Sequence, residues 1–201
     1  MKYHIEKNTI QETLVIPLYA RALCTRRFPH LFSDPLSVEL LEQLDYDFSA
    51  LERTSGSLMQ TFGAMEAAMR QSDLAWEVRD YLADHPQAAV VNLGCGLDQT
   101  GRSCDNGQCR LFSIDLPDVM AVREALLHAG KREKNLAADL NDLSWFDAID
   151  TPLEDGAVFF AAGVFYYFLT EQVRVLVQGM ANAFPGGVLD GWYLTPPGRR
   201  R

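Results

Sequence analysis

Residues Ala88 to Asp98 read AAVVNLGCGLD, and the reading of this stretch decides the fold. Ala88 to Leu93 is a short apolar run with adjacent valines that breaks at Gly94-Cys95-Gly96, the pattern of a buried parallel strand feeding a glycine turn. Two glycines in three residues let the chain turn sharply and present main-chain N–H groups without a Cβ in the way. Open α/β sheets hold nucleotide-like cofactors in this manner, beyond the carboxyl ends of their strands.

Downstream of the turn, strand and helix patterns alternate. Arg110 to Asp115, RLFSID, reads as a second strand, and Leu116-Pro117-Asp118 opens a helix through Leu127 with Val119, Val122, Leu126 and Leu127 on one side. Asn135 to Ala138 is a short third strand ending at Asp139, and SWFDAI makes a brief helical turn. Ala157 to Val164, AVFFAAGV, is a fully apolar fourth strand, followed by a helix from Thr170, its cap, to Ala183. Phe184-Pro185-Gly186-Gly187 stops that helix, and Val188-Leu189-Asp190 begins a fifth strand. The succession predicts an α/β fold, a mostly parallel sheet with helices on both faces and right-handed crossovers.

Upstream the pattern is helical. Thr13 to Thr25 is amphipathic, and SDPLSVELLEQL starts a second helix with Ser33 or Asp34 as cap, Pro35 in the first turn and Leu36, Leu40, Leu41 and Leu44 at helical spacing. The spacing predicts a third helix over Leu58 to Met69 and a fourth over Asp73 to Ala83, ended by Asp84-His85-Pro86, with a flexible loop over Leu51 to Met59. The division is a helical cap over 1–86, an α/β core over 87–190 and an irregular tail over 191–201, within one compact domain.

Composition narrows the classes. The 201 residues are 48% hydrophobic and 22% charged, which is globular, and the net charge of -9 argues against a non-specific nucleic-acid surface, whose phosphate contacts demand clustered Lys and Arg. The dense basic run Arg199-Arg200-Arg201 reads as a disordered tail. No window of about eighteen apolar residues marks a membrane span and the start carries no apolar secretory core, so the expected compartment is the cytoplasm. Cys24, Cys95, Cys104 and Cys109 then read as free thiols; Cys104 and Cys109 lack the further ligands of a metal site, and no metal is expected.

The chemistry sits at the strand ends. Gly94 and Gly96 follow the first strand, Asp115 ends the second, Asp139 follows the third and Gly163 the fourth, so all fall on one rim of the sheet. Asp115 lies about twenty residues beyond Gly96, the distance at which a carboxylate accepts hydrogen bonds from ribose hydroxyls in a nucleotide-binding βαβ unit. Gln99 stands where a dinucleotide fingerprint has its third glycine, which disfavours NAD and FAD.

VVNLGCGLD, IDLPDV, ADLND with SWFD, and AAGVFYYF followed by FPGG resemble the leucine carboxyl methyltransferase-like family of S-adenosylmethionine-dependent O-methyltransferases, in its bacterial polyketide-type branch. LYARAL, FSDPLSVELL and LDYDF are similar to that branch too, so the resemblance covers nearly the whole chain. It implies a Rossmann-like class I methyltransferase fold with S-adenosyl-L-methionine as cofactor and a small-molecule methyl acceptor, in polyketide-type secondary metabolism. It further implies that Gly94 and Gly96 pass beneath the methionine part, that Asp115 holds the ribose diol with Leu116 against the adenine, and that Asp139 and Leu140 meet the adenine edge. Arg70 matches the arginine that pairs with the cofactor carboxylate, Asp98 suits a helix cap or a cofactor contact, and Gly163 completes the cofactor set.

The chain departs from the family pattern at Ala162, where members commonly carry an acidic residue, and at Gln99-Thr100, where Thr-Arg is frequent. Past FPGG the family continues into further closing strands, whereas VLDGWYLTPPGRRR reads as a shortened terminus, with Pro196-Pro197-Gly198 unfit for a central strand. That predicts missing C-terminal strands and an exposed sheet edge prone to self-association. No catalytic residue is assigned. His4, His30, His85 and His128 avoid the predicted strand ends, and Tyr166 and Tyr167 read as aromatic packing. Three readings compete: an active O-methyltransferase on a carboxylate or hydroxyl, a cofactor-binding pseudoenzyme or truncated inactive form, and an NAD-binding oxidoreductase, which Gln99 disfavours.

Overall fold

The computed structural model describes residues 2–192; the irregular tail expected over 191–201 lies almost wholly outside the described residues. The chain opens with strand β1 (Tyr3–His4), a 3₁₀ turn over Ile10–Leu14, helices α1 (Val15–Arg27) and α2 (Pro35–Gln43), strand β2 (Leu44–Asp45), and helices α3 (Ser49–Thr54) and α4 (Leu58–Asp84). There follow β3 (Ala89–Leu93), α5 (Thr100–Ser103), β4 (Arg110–Asp115), α6 (Pro117–Leu126), β5 (Glu133–Ala137), β6 (Ala157–Ala162), α7 (Thr170–Ala183) and β7 (Val188–Trp192).

These elements form two compact units. Of the described residues, the first gathers 2–73, 96–98 and 117–129; the second gathers 74–95, 99–116 and 130–192.

The second unit contains the sheet, in the order β5-β4-β3-β6-β7, and every pair is parallel. Strand alternation sends successive side chains to opposite faces, and both faces are covered by helix. Val91, Leu93, Phe112, Ile114, Phe159 and Ala161 join Leu176 and Met180 of α7 in one core cluster. Val90, Leu111, Val158 and Phe160 join Leu74, Val78 and Leu82 of α4 in another. β3 is buried along its whole length, as its uninterrupted apolar run requires.

In the first unit, Leu14, Val15, Leu18 and Ala22 pack with Leu40 and Leu41 of α2, with Val119 and Val122 of α6, and with Leu97. A smaller cluster joins Cys24 to Ala64 and Ala68 of α4. Asp34 caps α2 by accepting from the Ser37 N–H at 3.1 Å, with Pro35 in the first turn as the sequence predicts. On α4 the side chains of Leu58, Met59, Phe62 and Met69 form an exposed apolar row.

Four local expectations shift. The third and fourth helices are one 27-residue helix, because Ala64, Ala67, Ala68, Leu74, Ala75 and Val78 keep a buried stripe running through the polar Arg70–Asp73. The expected loop over 51–59 contracts to three residues between α3 and α4. The third strand starts at Glu133, two residues early, since an edge strand needs no apolar alternation there. Finally, Thr170 is the first helical residue of α7 and Leu169 the cap position, its N–H donating to Gln172 Oε1 at 2.7 Å.

Candidate functional site

The chain runs from β3 outward through β4 to β5, returns to β6 on the other flank of β3, and continues to β7. The strand order therefore reverses beside β3, and in open parallel sheets the crevice at such a reversal, past the carboxyl ends, is where ligands bind. The glycine turn stands at this point. The register sets the level of its neighbours: Leu93 is opposite Ile114 and Ala161, so Gly94 is level with Asp115 and Ala162. Asp115 in turn pairs with Ala137, two residues before Asp139.

Each rim residue in the sheet unit has a local cause. Gly94 has φ of +62° and Gly163 of +80°, the left-handed region open to glycine. A Cβ at Gly94 would sit 2.8 Å from Val164 Cβ, so the glycine is required by close packing as well as by its backbone angle. The Cys95 N–H donates to the Ile114 carbonyl at 3.0 Å and carries the β3–β4 ladder into the turn. Asp115 is half-buried, and Oδ1 accepts from the Leu116 N–H at 2.8 Å, which orients the carboxylate. Asp139 is exposed, and its Oδ1 accepts from both the backbone N–H and the side-chain amide of Asn141 at 2.9 Å, making a turn that presents Leu140 to the core. Leu140, Asn141 and Leu143, with Glu171, Gln172 and Val175 of α7, line a depression of about 210 Å³. Beside it the Asp142 carboxyl is held below the usual range by the Ser144 N–H and hydroxyl.

The remaining predicted residues lie in the helical unit. Gly96, at φ +48°, has Leu14 against its Cβ direction. Asp98 Oδ1 accepts from the Gln71 side-chain amide at 3.3 Å, and Arg70, half-buried on α4, is the residue before Gln71. The buried Gln71 Oε1 finds no hydrogen-bond partner among the described residues.

Two side chains missed by the sequence reading hold this loop. Arg123, 1% exposed, donates through Nη1 to the carbonyl oxygens of Gly96 and Asp98, both at 2.9 Å. Arg21, 6% exposed, donates through Nη2 to the Leu97 carbonyl at 3.1 Å and through Nε to Asp34 at 3.1 Å. The available signal was position: Arg123 lies four residues after Val119 and one after Val122, on the apolar side of α6.

Two of the four histidines are engaged locally: His4 bonds Asp45 at 3.0 Å and His85 stacks on Tyr81. Tyr166 and Tyr167 are exposed rather than packed inside. Among the described residues no cluster of His, Cys, Asp and Glu is arranged to hold a metal, and no helix is long and apolar enough to cross a membrane.

An all-parallel sheet in this order, with a glycine turn at its reversal and carboxylates after its second and third strands, has the Rossmann-like fold of class I methyltransferases. The chain belongs to the leucine carboxyl methyltransferase family, whose model matches residues 15–181. It is 29% identical over 182 residues to the tetracenomycin polyketide synthesis O-methyltransferase TcmP of Streptomyces glaucescens, an alignment covering 90% of this chain. The chain spans 64% of that relative's length. Among solved structures, an O-methyltransferase family protein of Burkholderia thailandensis aligns with a TM-score of 0.47 at 20% identity, over 86% of this chain and 52% of that one. The S-adenosylmethionine-bound amino pentose methyltransferase of Micromonospora echinaspora aligns with a TM-score of 0.46 at 18% identity, over 77% and 58%.

Proposed function

We propose that the chain binds S-adenosyl-L-methionine and transfers its methyl group to a carboxylate or hydroxyl of a small molecule, of the kind met in polyketide-type metabolism. The observation that carries this reading is the common level of Gly94, Asp115 and the end of β6 at the sheet's reversal, with Asp139 following the next strand. Within the sheet unit the Asp115 carboxylate, oriented by the Leu116 N–H, suits a ribose diol; within the helical unit the buried Gln71 Oε1, without a hydrogen-bond partner among the described residues, is an acceptor for an amino group. In this reading Asp115 holds the ribose, Leu116 the adenine face, and Asp139 with Leu140 the adenine edge. In the sheet unit Gly94 and Gly163 offer bare backbone to the cofactor; in the helical unit Gly96 does so, Asp98 is a helix cap or a cofactor contact, and Arg70 is the partner for the cofactor carboxylate.

The cofactor supplies an already activated methyl on a sulfonium. The protein's task is thus alignment of acceptor oxygen, methyl carbon and sulfur, an effect of proximity rather than of a nucleophilic side chain. A carboxylate acceptor is ionised at neutral pH and requires no base, which favours it over a hydroxyl given the engaged His4 and His85. Residues 1–86, which supply no strand of the five-stranded sheet, are the part left to select the acceptor.

Calorimetric titration with S-adenosylmethionine and with NAD tests the cofactor, and transfer of labelled methyl to a panel of small acids and phenols tests the activity. Saturable binding of the first alone, with transfer to a carboxylate, is expected; binding of NAD alone would overturn the reading. Ala162 supports a second reading, a cofactor-binding form without turnover, which binding without transfer across the panel would favour.

A further inference from the structure

The loop that follows β3 is gripped from behind by two buried cations. Arg123 of α6 and Arg21 of α1 take the carbonyl oxygens of Gly96, Leu97 and Asp98, three in succession, at 2.9 to 3.1 Å. Within a planar trans peptide the N–H of one residue points opposite to the carbonyl of the residue before it. Fixing the carbonyls of Gly96 and Leu97 therefore fixes the direction of the N–H groups of Leu97 and Asp98. The grip is anchored further: Arg21 is also bound by Asp34, whose other oxygen caps α2, and the Asp34 N–H donates to Thr25 Oγ1 at 2.9 Å.

Charged side chains are expensive to bury, and a guanidinium spent on carbonyl oxygens rather than on solvent marks a place where backbone geometry matters. Gly96 at φ +48° adds a residue with many alternative conformations, which is the reason such a loop needs holding. Leu97, buried in the core of the helical unit, fixes the loop's position, but an apolar side chain leaves the peptide planes free to turn.

We infer that Arg123, assisted by Arg21 and Asp34, is a positioning residue that sets the peptide planes of the cofactor loop before the cofactor arrives. The inference rests on the cofactor reading given above. Its role is to remove the entropic cost of ordering the loop from the binding step, so its loss falls on cofactor affinity rather than on the fold alone.

The test compares Arg123→Met, Arg123→Lys and Val122→Ala, the last an adjacent core residue on the same helix that destabilises without touching the loop carbonyls. S-Adenosylhomocysteine is titrated calorimetrically into each full chain, and amide exchange at Leu97 and Asp98 is followed in the ligand-free proteins. Arg123→Met is expected to bind roughly tenfold more weakly, Arg123→Lys roughly threefold, and Val122→Ala within about twofold of the parent, in keeping with loss of charge-assisted bonds. Exchange at both amides should accelerate in Arg123→Met beyond Val122→Ala. Should Arg123→Met fail to fold, Arg123→Lys carries the comparison. Affinity within twofold of the parent in the Arg123 variants, or an equal loss in Val122→Ala, overturns the inference. A parent chain that binds no S-adenosylhomocysteine overturns the cofactor reading instead, and the exchange rates then judge the grip by themselves.

Discussion

Gly94→Ala is the sharpest test of how the glycine turn is built. Two costs are separable. The backbone angle of +62° is unfavourable for any residue with a Cβ, by about 1–2 kcal/mol. The new methyl would also stand 2.8 Å from Val164 Cβ, well inside the 3.5–4.0 Å of a good carbon contact, and overpacking of this kind costs about 1–3 kcal/mol. Together they destabilise by about 2–5 kcal/mol, a large share of the 5–15 kcal/mol typical of a folded domain. Urea unfolding of the parent, Gly94→Ala, Val164→Ala and the double variant closes a cycle. Trimming Val164 to Ala removes Cγ2, the side-chain atom nearest the new methyl, but leaves Cβ and the backbone angle as they were, so the double variant should regain about 1 kcal/mol relative to the sum of the singles. A coupling near zero would refute the close approach of Val164, and a Gly94→Ala cost below about 0.5 kcal/mol would refute both contributions.

Other outcomes follow from the site and its supports. Asp115→Ala should weaken S-adenosylmethionine binding by about 1–3 kcal/mol, read by calorimetry, and unchanged affinity removes Asp115 from the cofactor site. Asp34→Ala strands a buried Arg21 and strips the cap of α2, and should cost about 3–5 kcal/mol in urea unfolding; Arg21→Met with Asp34→Ala should cost less than Asp34→Ala alone. Asp105 gives a pH test. Burial pushes its carboxyl up, but the Gly107 N–H, Arg132 and Cys109 outweigh burial and leave it lowered. A carboxyl lowered on folding contributes stability that is present above its unfolded value and lost as pH falls through the folded one, so Asp105→Asn should flatten the loss of melting temperature below about pH 4. An acid limb unchanged by Asp105→Asn would show that this carboxyl does not contribute.

The sheet was legible because its strands are short apolar runs closed by punctuation: Gly94, Asp115, Asp139 and Gly163 each end a run and each stands at or just past a strand end. What pattern did not carry was anything made by side chains reaching across sequence. Arg123 and Gly96 are far apart in the chain, and a helical period says which side Arg123 faces but not that a carbonyl awaits it. The two expected helices of α4 were split for a related reason, since polar Arg70–Asp73 looked like a break while the small buried alanines on the opposite side kept the helix whole. The strand β5 lost its first two residues to the same bias, because Glu133 and Lys134 at a sheet edge offer no apolar alternation.

The apolar row on α4 includes two methionines, and thioethers are chemical reporters. Met59 is 83% exposed and Met69 55%, whereas Met120 is 2% exposed and Met180 4%. Mild peroxide converts accessible methionine to its sulfoxide, so peptide mass spectrometry on this chain carries two responsive positions and two internal standards in every sample. Slower oxidation at Met59 and Met69, with Met120 and Met180 unchanged, would register an acceptor, another chain or added sequence settling on that helix, without a label or a crystal.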